Sequence, residues 1–145
     1  MKAQINFYKA KQFDLCLSAG IKEWLSQVIQ THKYNYTEIN YTFCSDDELL
    51  DINKSFLDHD FYTDIITFDN SIHDMISADI MISVDRVKDN ALQHNVEFNK
   101  ELHRVMVHGL LHCMGYNDNN EETSLIMRKK EDEALNMFHV EHNRI

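Results

Sequence analysis

The stretch NKELHRVMVHGLLHCMG, residues 99–115, is the feature that most limits what this chain can fold into. Val105, Leu111 and their apolar neighbours recur at helical spacing, so the helix must bury one face in a core. His108 and His112 stand four positions apart in the same stretch. Positions four apart on an α-helix differ by about 40° of rotation, so both imidazoles project from one face. We therefore expect a core helix that presents two histidines at the edge of a cleft.

The chain length and the order of the other patterns predict a single α+β domain. The chain has 145 residues, 43% of them hydrophobic, which is enough for one core and too little for two. No repeat or Gly/Ser linker divides residues 1–145. Strand patterns come early and helix patterns late, which favours a small mixed sheet packed on one side by helices, with the histidine-bearing helix at its centre.

Local patterns predict the individual elements. Alternation and β-branched content predict four strands, in AQINFY, YTEINYTFC, TDIITFDN and SADIMISV. The first could be an edge strand, and the last two could form a hairpin. Helical periodicity predicts a helix over 13–30, in which Gly20 weakens the pattern without breaking it. Ser45 and Glu48 have the spacing of a capping box that starts a short helix. Further helices are predicted in DRVKDNALQHN, in the histidine-bearing stretch and in NEETSLIMRKKEDEALNMF, the last with these residues near one side: Leu125, Ile126, Lys129, Glu133 and Met137.

Charge and composition exclude several classes of protein. The formal net charge of −10 argues against a protein that coats nucleic acid through its overall field, so any RNA contact must be local. Neither a membrane span nor a signal peptide is recognisable, which predicts a cytoplasmic protein with no membrane partner. Cys16, Cys44 and Cys113 form no CxxC pair, so we expect reduced and mostly buried thiols without a disulfide or thiolate zinc site.

The residues that follow the two histidines favour a metal site. Gly115 can take a left-handed conformation that ends the helix, so the chain can fold back and bring Asp118 to His108 and His112 as a third ligand. Two histidines four apart also arise by chance, and a metal-free structural domain is the alternative interpretation. Gly109 stands where zinc peptidases of the HExxH type have a catalytic glutamate, which argues against a peptidase.

The motif HGLLHCMGYND resembles the HGxLHxxGYDH signature of the YbeY family of bacterial ribosomal-RNA maturation factors, which are metal-dependent single-strand endoribonucleases. INKSFLDHDFYTDIITF and SADIMIS are similar to two further family segments, so the likeness runs from about Glu48 to Met127 in the family order. The family's third metal ligand is a histidine, and Asp118 stands in its place. Leu57 stands where the family has an arginine thought to serve catalysis. Arg104, one turn before His108, is the substitute we predict, the alternative being an arginine that faces solvent.

The resemblance implies an endoribonuclease that acts on single-stranded RNA. It carries over two metal ligands, His108 and His112, and Asp118 can complete the set because a carboxylate also binds these metals. We therefore expect one Zn²⁺ ion, or another divalent transition metal, held by the three side chains with a position open to a catalytic metal-bound water. An aspartate ligand should make that water less acidic than three neutral ligands would. RNA would lie beside TDIITF, with Thr63, Asp64 and Arg104 contacting the substrate. Phe61, Tyr62 and Tyr116 could stack on bases, although core packing is the simpler expectation for each.

The family also suggests a cellular role. It implies maturation of the 3′ end of 16S rRNA and ribosome quality control, with ribosomal proteins or a ribosome-associated GTPase as partners. Because Leu57 and Asp118 depart from the family pattern, a second hypothesis keeps the metal and drops catalysis. In that case the chain would be a metal-stabilised RNA-binding or ribosome-binding factor.

Overall fold

Four strands and five helices make up the computed structural model, which describes residues 3–9, 17 and 19–142. In chain order the elements are β1 (Gln4–Lys9), α1 (Ile21–Thr31), β2 (Asn35–Cys44), α2 (Asp46–Leu57), β3 (Ile65–Asp69), β4 (Met75–Ser83), α3 (Val84–His94), α4 (Phe98–Cys113) and α5 (Glu121–His142). The predicted α+β class is therefore confirmed.

The strands form one mixed sheet in the order β1-β2-β4-β3. β2 pairs in parallel with β1 and β4, whereas β3 pairs antiparallel with β4. The predicted hairpin of the last two strands is confirmed, and β1 and β3 are the edge strands. Among the described residues no strand pairs with the other side of β3, so that side suits a ligand that runs along the sheet.

Strand alternation explains the main core. Tyr41 and Phe43 in β2 and Ile80 and Ile82 in β4 are spaced two apart, point to one face, and are fully buried in a single cluster with residues of α1, α4 and α5. Helix α2 packs on the opposite face, where Leu49 meets Cys44 and Ile66 in a second, smaller cluster. The prediction that the helices pack on one side of the sheet therefore does not hold for α2.

Helix α1 is shorter than the sequence pattern indicates. Gly20 has φ of 87°, in the left-handed region, and the helix begins at Ile21 immediately after it. The prediction that Gly20 lies inside a helix is wrong, because a residue with positive φ cannot continue a right-handed helix. Residues 13–16 and 18 of the predicted helix lie outside the described part of the chain.

The capping box of α2 is confirmed. The Glu48 backbone N–H donates to Ser45 Oγ at 3.1 Å, and the Ser45 backbone N–H donates to Glu48 Oε1 at 2.9 Å. These two bonds satisfy donors that the first turn of a helix would otherwise leave unpaired. The signal was readable from sequence because it lies within four residues.

Helix α5 buries a different face from the predicted one. Leu125 is 72% exposed and Ile126 is 45% exposed. Among the side chains of α5 that the structure describes, the buried ones recur at helical spacing: Met127, Glu131, Ala134 and Phe138. The apolar pattern was misleading because a glutamate, a residue rarely buried without a partner, occupies the centre of the packed face.

Helix α4 is the predicted central helix and lies very close to the sheet. At Gly109 a Cβ atom would stand 3.1 Å from Ile65 Cδ1 and 3.1 Å from Ile80 Cδ1. A glycine is therefore what allows the histidine-bearing helix to approach β3 and β4. A glutamate at this position would have no room, which is consistent with the absence of an HExxH motif.

The described cysteines behave as predicted. Cys44 and Cys113 are buried and free. Burial raises the pKa of each thiol to about 12, so neither supplies a thiolate at neutral pH. Cys16 lies outside the described residues. Across the part of the chain that the structure describes, no helix combines the length and the apolar character needed to cross a bilayer.

Candidate metal centre

The two histidines of α4 face each other, as their spacing predicts. His108 Nε2 and His112 Nε2 lie 3.0 Å apart, and the rings meet edge to face with centroids 4.6 Å apart. Both side chains are partly buried at the edge of the core. The two Nε2 atoms are thus directed to the same small volume.

Gly115 ends α4 as predicted, with φ of 95°. The backbone N–H of Tyr116 donates to Leu111 O at 3.0 Å, and that of Gly115 donates to His112 O at 3.1 Å. This pair of bonds is the Schellman motif, which reverses the chain direction at a helix end. The reversal brings the residues that follow back over the histidine face.

The returning loop delivers Asp118 to the histidines. Asp118 Oδ2 is 3.6 Å from His108 Nε2, and Asp118 Oδ1 is 3.8 Å from His112 Nε2. The side chain is 46% exposed, so one side of this triad faces solvent. The predicted ligand set is therefore brought together by the fold.

Hydrogen bonds at the start of α5 fasten the loop. Asn120 Oδ1 accepts from the Thr123 backbone N–H at 2.9 Å, and Thr123 Oγ1 accepts from the Asn120 backbone N–H at 3.1 Å. Ser124 Oγ donates to the backbone oxygen of Asp118 at 3.2 Å. Asp118 thus lies between a helix end and a helix start that are both capped.

The three side chains fit a zinc ion. The donor atoms all lie within 4.8 Å of one another. Bond lengths of 2.0–2.1 Å in a tetrahedral site place ligand atoms about 3.3 Å apart. The three donor separations of 3.0, 3.6 and 3.8 Å bracket this value. Two imidazoles and a carboxylate are a donor set that also suits iron or manganese, so the geometry does not identify the metal.

Behind the triad lies a buried carboxylate that the sequence pattern did not indicate. Glu131 on α5 is 5% exposed, and its Oε2 accepts a 2.7 Å hydrogen bond from His108 Nδ1. Its other oxygen, Oε1, accepts from Arg104 Nη1 at 2.9 Å. The signal available in the sequence was a glutamate, Glu131, at helical spacing from the apolar residues Met127 and Ala134.

Arg104 lies at the site, but its guanidinium is already paired. The side chain is 12% exposed, so the expectation of an arginine facing solvent is wrong. Nη1 donates to Glu131 and Nη2 donates to Asp132 Oδ1 at 2.7 Å. The predicted catalytic role of Arg104 stays a prediction, and these two ion pairs favour a structural one.

The shared environment moves the pKa values of the two histidines in opposite directions. Burial alone would lower the pKa of His108, but the hydrogen bond and charge of Glu131 outweigh it and raise the pKa. Burial and the neighbouring charge of His108 lower the pKa of His112. Burial opposes ionisation of Glu131, yet its bonds to His108 and Arg104 lower its pKa, so it is a carboxylate at neutral pH.

A cavity of about 250 Å³ adjoins the triad, and its lining is mostly charged. His108, Asp118, Glu131 and Arg104 contribute to its wall, as does Asp64 at the start of β3. Asp64 Oδ2 accepts from Asn90 Nδ2 at 3.2 Å, and burial raises the pKa of the Asp64 carboxyl group. Thr63, the other residue predicted to contact substrate here, donates its hydroxyl to Ile65 O at 3.3 Å.

The segment between α2 and β3 exposes aromatic side chains. Phe61 is 55% exposed and Tyr62 is about half exposed, so the expectation that they pack in the core is wrong. Tyr62 donates its hydroxyl to Asp47 Oδ1 at 3.1 Å. Leu57, at the position of the family's arginine, is also exposed and ends α2.

Comparison with known proteins identifies the family of this chain. The family model described as Endoribonuclease YbeY matches residues 4–139. The chain is similar to the Endoribonuclease YbeY proteins of Cytophaga hutchinsonii, at 51% identity over 90% of this chain and 92% of that protein, and of Flavobacterium johnsoniae, at 48% identity over 94% and 99%. It also resembles the solution structure of TM1509 from Thermotoga maritima, with a TM-score of 0.64 and 26% identity over 92% of this chain and 88% of that one. The fold, the histidine motif and these matches together show that the chain belongs to the YbeY endoribonuclease family.

Proposed function

We propose that this protein is a metal-dependent endoribonuclease that cuts single-stranded RNA at a zinc ion held by His108, His112 and Asp118. The observation that carries the proposal is the convergence of these three donors at the edge of a charged cavity. The names of its relatives support the reaction class, hydrolysis of RNA phosphodiester bonds. Another divalent transition metal would suit the same donors.

The roles of the protein side chains follow from their placement. When bound, zinc supplies a Lewis acid and an activated water for attack on a phosphodiester. Asp118 contributes a negative charge, so the site is less cationic than one built from three histidines. Its half-exposed position on the loop leaves the solvent side of the triad accessible to a phosphate group. The core-facing side of His108 is closed by Glu131.

For the RNA we propose a path along the edge strand β3. Asp64 lies at the start of this strand and Arg104 faces the same cavity, which supports contacts of both with substrate. Thr63 precedes Asp64 and would contact the RNA outside the cavity. The exposed rings of Phe61 and Tyr62 suit stacking on unpaired bases, the usual way in which proteins hold single-stranded RNA.

Family membership supports a wider role in ribosome assembly. We propose that the substrate is ribosomal RNA in the cytoplasm, and that the protein acts in maturation of the 16S rRNA 3′ end and in ribosome quality control. The net charge of −10 opposes tight RNA binding by the protein alone. A ribosomal protein or a ribosome-associated GTPase would therefore bring the enzyme to its substrate.

One observation favours a second candidate function. Leu57 replaces an arginine, and the predicted substitute, Arg104, has both terminal nitrogens bound to carboxylates. If Arg104 does not take over the role of that arginine, the protein would serve as a metal-stabilised RNA-binding or ribosome-binding factor. This alternative predicts that the metal supports folding and RNA binding but no cleavage.

A cleavage assay separates the two functions. Purified protein is incubated with end-labelled single-stranded RNA, with and without a chelator, and zinc is then added back. The nuclease proposal predicts metal-dependent cuts that are lost in His112→Ala and retained in His73→Asn, a change at an exposed histidine in the β3–β4 turn. Chelator-sensitive stability with no cleavage by the wild type would favour the binding factor.

A further inference from the structure

Glu131 is a buried anion that binds two cationic or protonated side chains of α4. Each carboxylate oxygen has its own partner, with His108 Nδ1 at 2.7 Å from Oε2 and Arg104 Nη1 at 2.9 Å from Oε1. Burying a charge is costly unless it is paired and hydrogen-bonded, and here both conditions hold. The cost is nevertheless unnecessary for packing alone, since an apolar residue would complete the helix face beside Met127 and Ala134.

The contact with His108 has a specific chemical consequence. A neutral imidazole carries its proton on one nitrogen, and the hydrogen bond made by that nitrogen decides which one it is. Because Glu131 contacts the His108 ring at Nδ1, it keeps the proton on that nitrogen and leaves the lone pair on Nε2. That lone pair is the one directed toward His112 Nε2 and Asp118.

We propose that Glu131 is a positioning residue for the metal centre, which sets the tautomer and ring orientation of His108. The proposal rests on the metal site of the proposed function. Carboxylates that hold the far nitrogen of a metal-binding histidine typically contribute 10–100-fold to metal affinity. Arg104 acts in the same arrangement through Glu131, since its Nη1 holds the carboxylate in place.

A purely structural role would make Glu131 one of two carboxylates that link α4 to α5 through Arg104. Asp132 provides the comparison, because it accepts a 2.7 Å hydrogen bond from the other terminal nitrogen of Arg104 and is 54% exposed. If Glu131 served only to join the helices, substitutions at the two positions would leave the tautomer of His108 equally unchanged. The positioning role predicts that they differ.

The first test needs no metal. Imidazole ¹⁵N NMR spectra of metal-free protein, at a pH where the rings are neutral, report which nitrogen of His108 is protonated. We expect the Nδ1–H tautomer in the wild type and in Asp132→Asn. Glu131→Gln should give a mixture, because an amide can accept from Nδ1–H or donate to an unprotonated Nδ1. An unchanged tautomer in Glu131→Gln would overturn the proposal.

The second test measures affinity for Zn²⁺ by competition with a chromophoric chelator. We expect 10–100-fold weaker binding in Glu131→Ala, a smaller loss in the nearly isosteric Glu131→Gln, and a change of less than about twofold in Asp132→Asn. If Glu131→Ala fails to fold, as circular dichroism would show, the Gln variant carries the test. Wild-type affinity in both Glu131 variants overturns the positioning role. Failure of the wild type to bind zinc or any other divalent transition metal overturns the metal centre of the proposed function, and the tautomer measurement still decides whether Glu131 fixes the Nδ1–H form of His108.

Discussion

Gly109 and Ile80 are in such close contact that a Cβ atom on Gly109 would stand 3.1 Å from Ile80 Cδ1 and 3.2 Å from Ile80 Cγ2. The contact explains why a glycine follows the first histidine of the motif. Helix α4 lies directly on the sheet, and this short distance determines the position of His108 relative to β3. Packing next to the site thus requires a glycine at position 109 of the motif.

Gly109→Ala is predicted to destabilise the protein. Helix propensity alone would favour alanine by about 1 kcal/mol, whereas overpacking costs about 1–3 kcal/mol. We expect the overpacking to prevail, with a lower free energy of unfolding in urea. The double variant Gly109→Ala, Ile80→Val should lose less than the sum of the two single variants, since it removes one of the opposing methyl groups. If Gly109→Ala were more stable than the wild type, the side chains of the sheet would have moved to accommodate the added methyl group, and the prediction would be wrong.

Gly115→Ala should weaken metal binding along with stability. Nothing lies within 4 Å of a Cβ at Gly115, so the only penalty is its φ of 95°, about 1 kcal/mol or more for a residue with a side chain. Relief of that strain would shift the loop that delivers Asp118. Zinc titration and thermal unfolding check both effects. Gly115→Asn is the milder control, because asparagine tolerates the left-handed region better. Equal zinc affinity in wild type and Gly115→Ala would contradict the proposed importance of the helix reversal.

Asp118→His should keep the metal, whereas Asp118→Ala should lose it. A third imidazole replaces an anionic ligand with a neutral one, so the site becomes more cationic and activates water at lower pH. We therefore expect the rising limb of the pH profile of RNA cleavage to move to lower pH in Asp118→His. An unchanged profile would indicate that the carboxylate does not bind the ion.

Asp64→Asn is predicted to stabilise the protein near neutral pH and to impair RNA cleavage. Burial raises the pKa of the Asp64 carboxyl group in the folded state. Between the unfolded and folded pKa values the unfolded chain loses this proton first, so the contribution of Asp64 to stability falls as the pH rises. The variant's advantage in melting temperature should be largest near pH 7 and vanish in acid. Asp51→Asn, an exposed carboxylate on α2, serves as the control, and a pH-independent gain for Asp64→Asn would refute the explanation.

The features that the sequence predicted correctly are those whose residues lie close together along the chain. The pairing of His108 with His112, the capping box of Ser45 and the reversal at Gly115 each depend on residues within one or two turns, so sequence spacing was sufficient. Asp118 was also predictable, because the chain reversal leaves it little room to lie elsewhere.

The less predictable parts depend on how distant elements pack. Glu131 lies 23 positions after its partner His108 on a different helix, and no local pattern relates the two. The ion pairs of Arg104 have the same origin. Gly20 was misread because periodicity counts apolar positions and does not report the sign of φ.

Metal content tests the central claim most directly. Purified protein should be measured by elemental analysis and titrated with Zn²⁺, with His108→Ala and His112→Ala alongside His73→Asn. We predict one ion per chain in the wild type and in His73→Asn, and none in the two site variants. Absence of stoichiometric metal in the wild type after zinc titration, or unchanged metal content in His108→Ala and His112→Ala, would contradict the account.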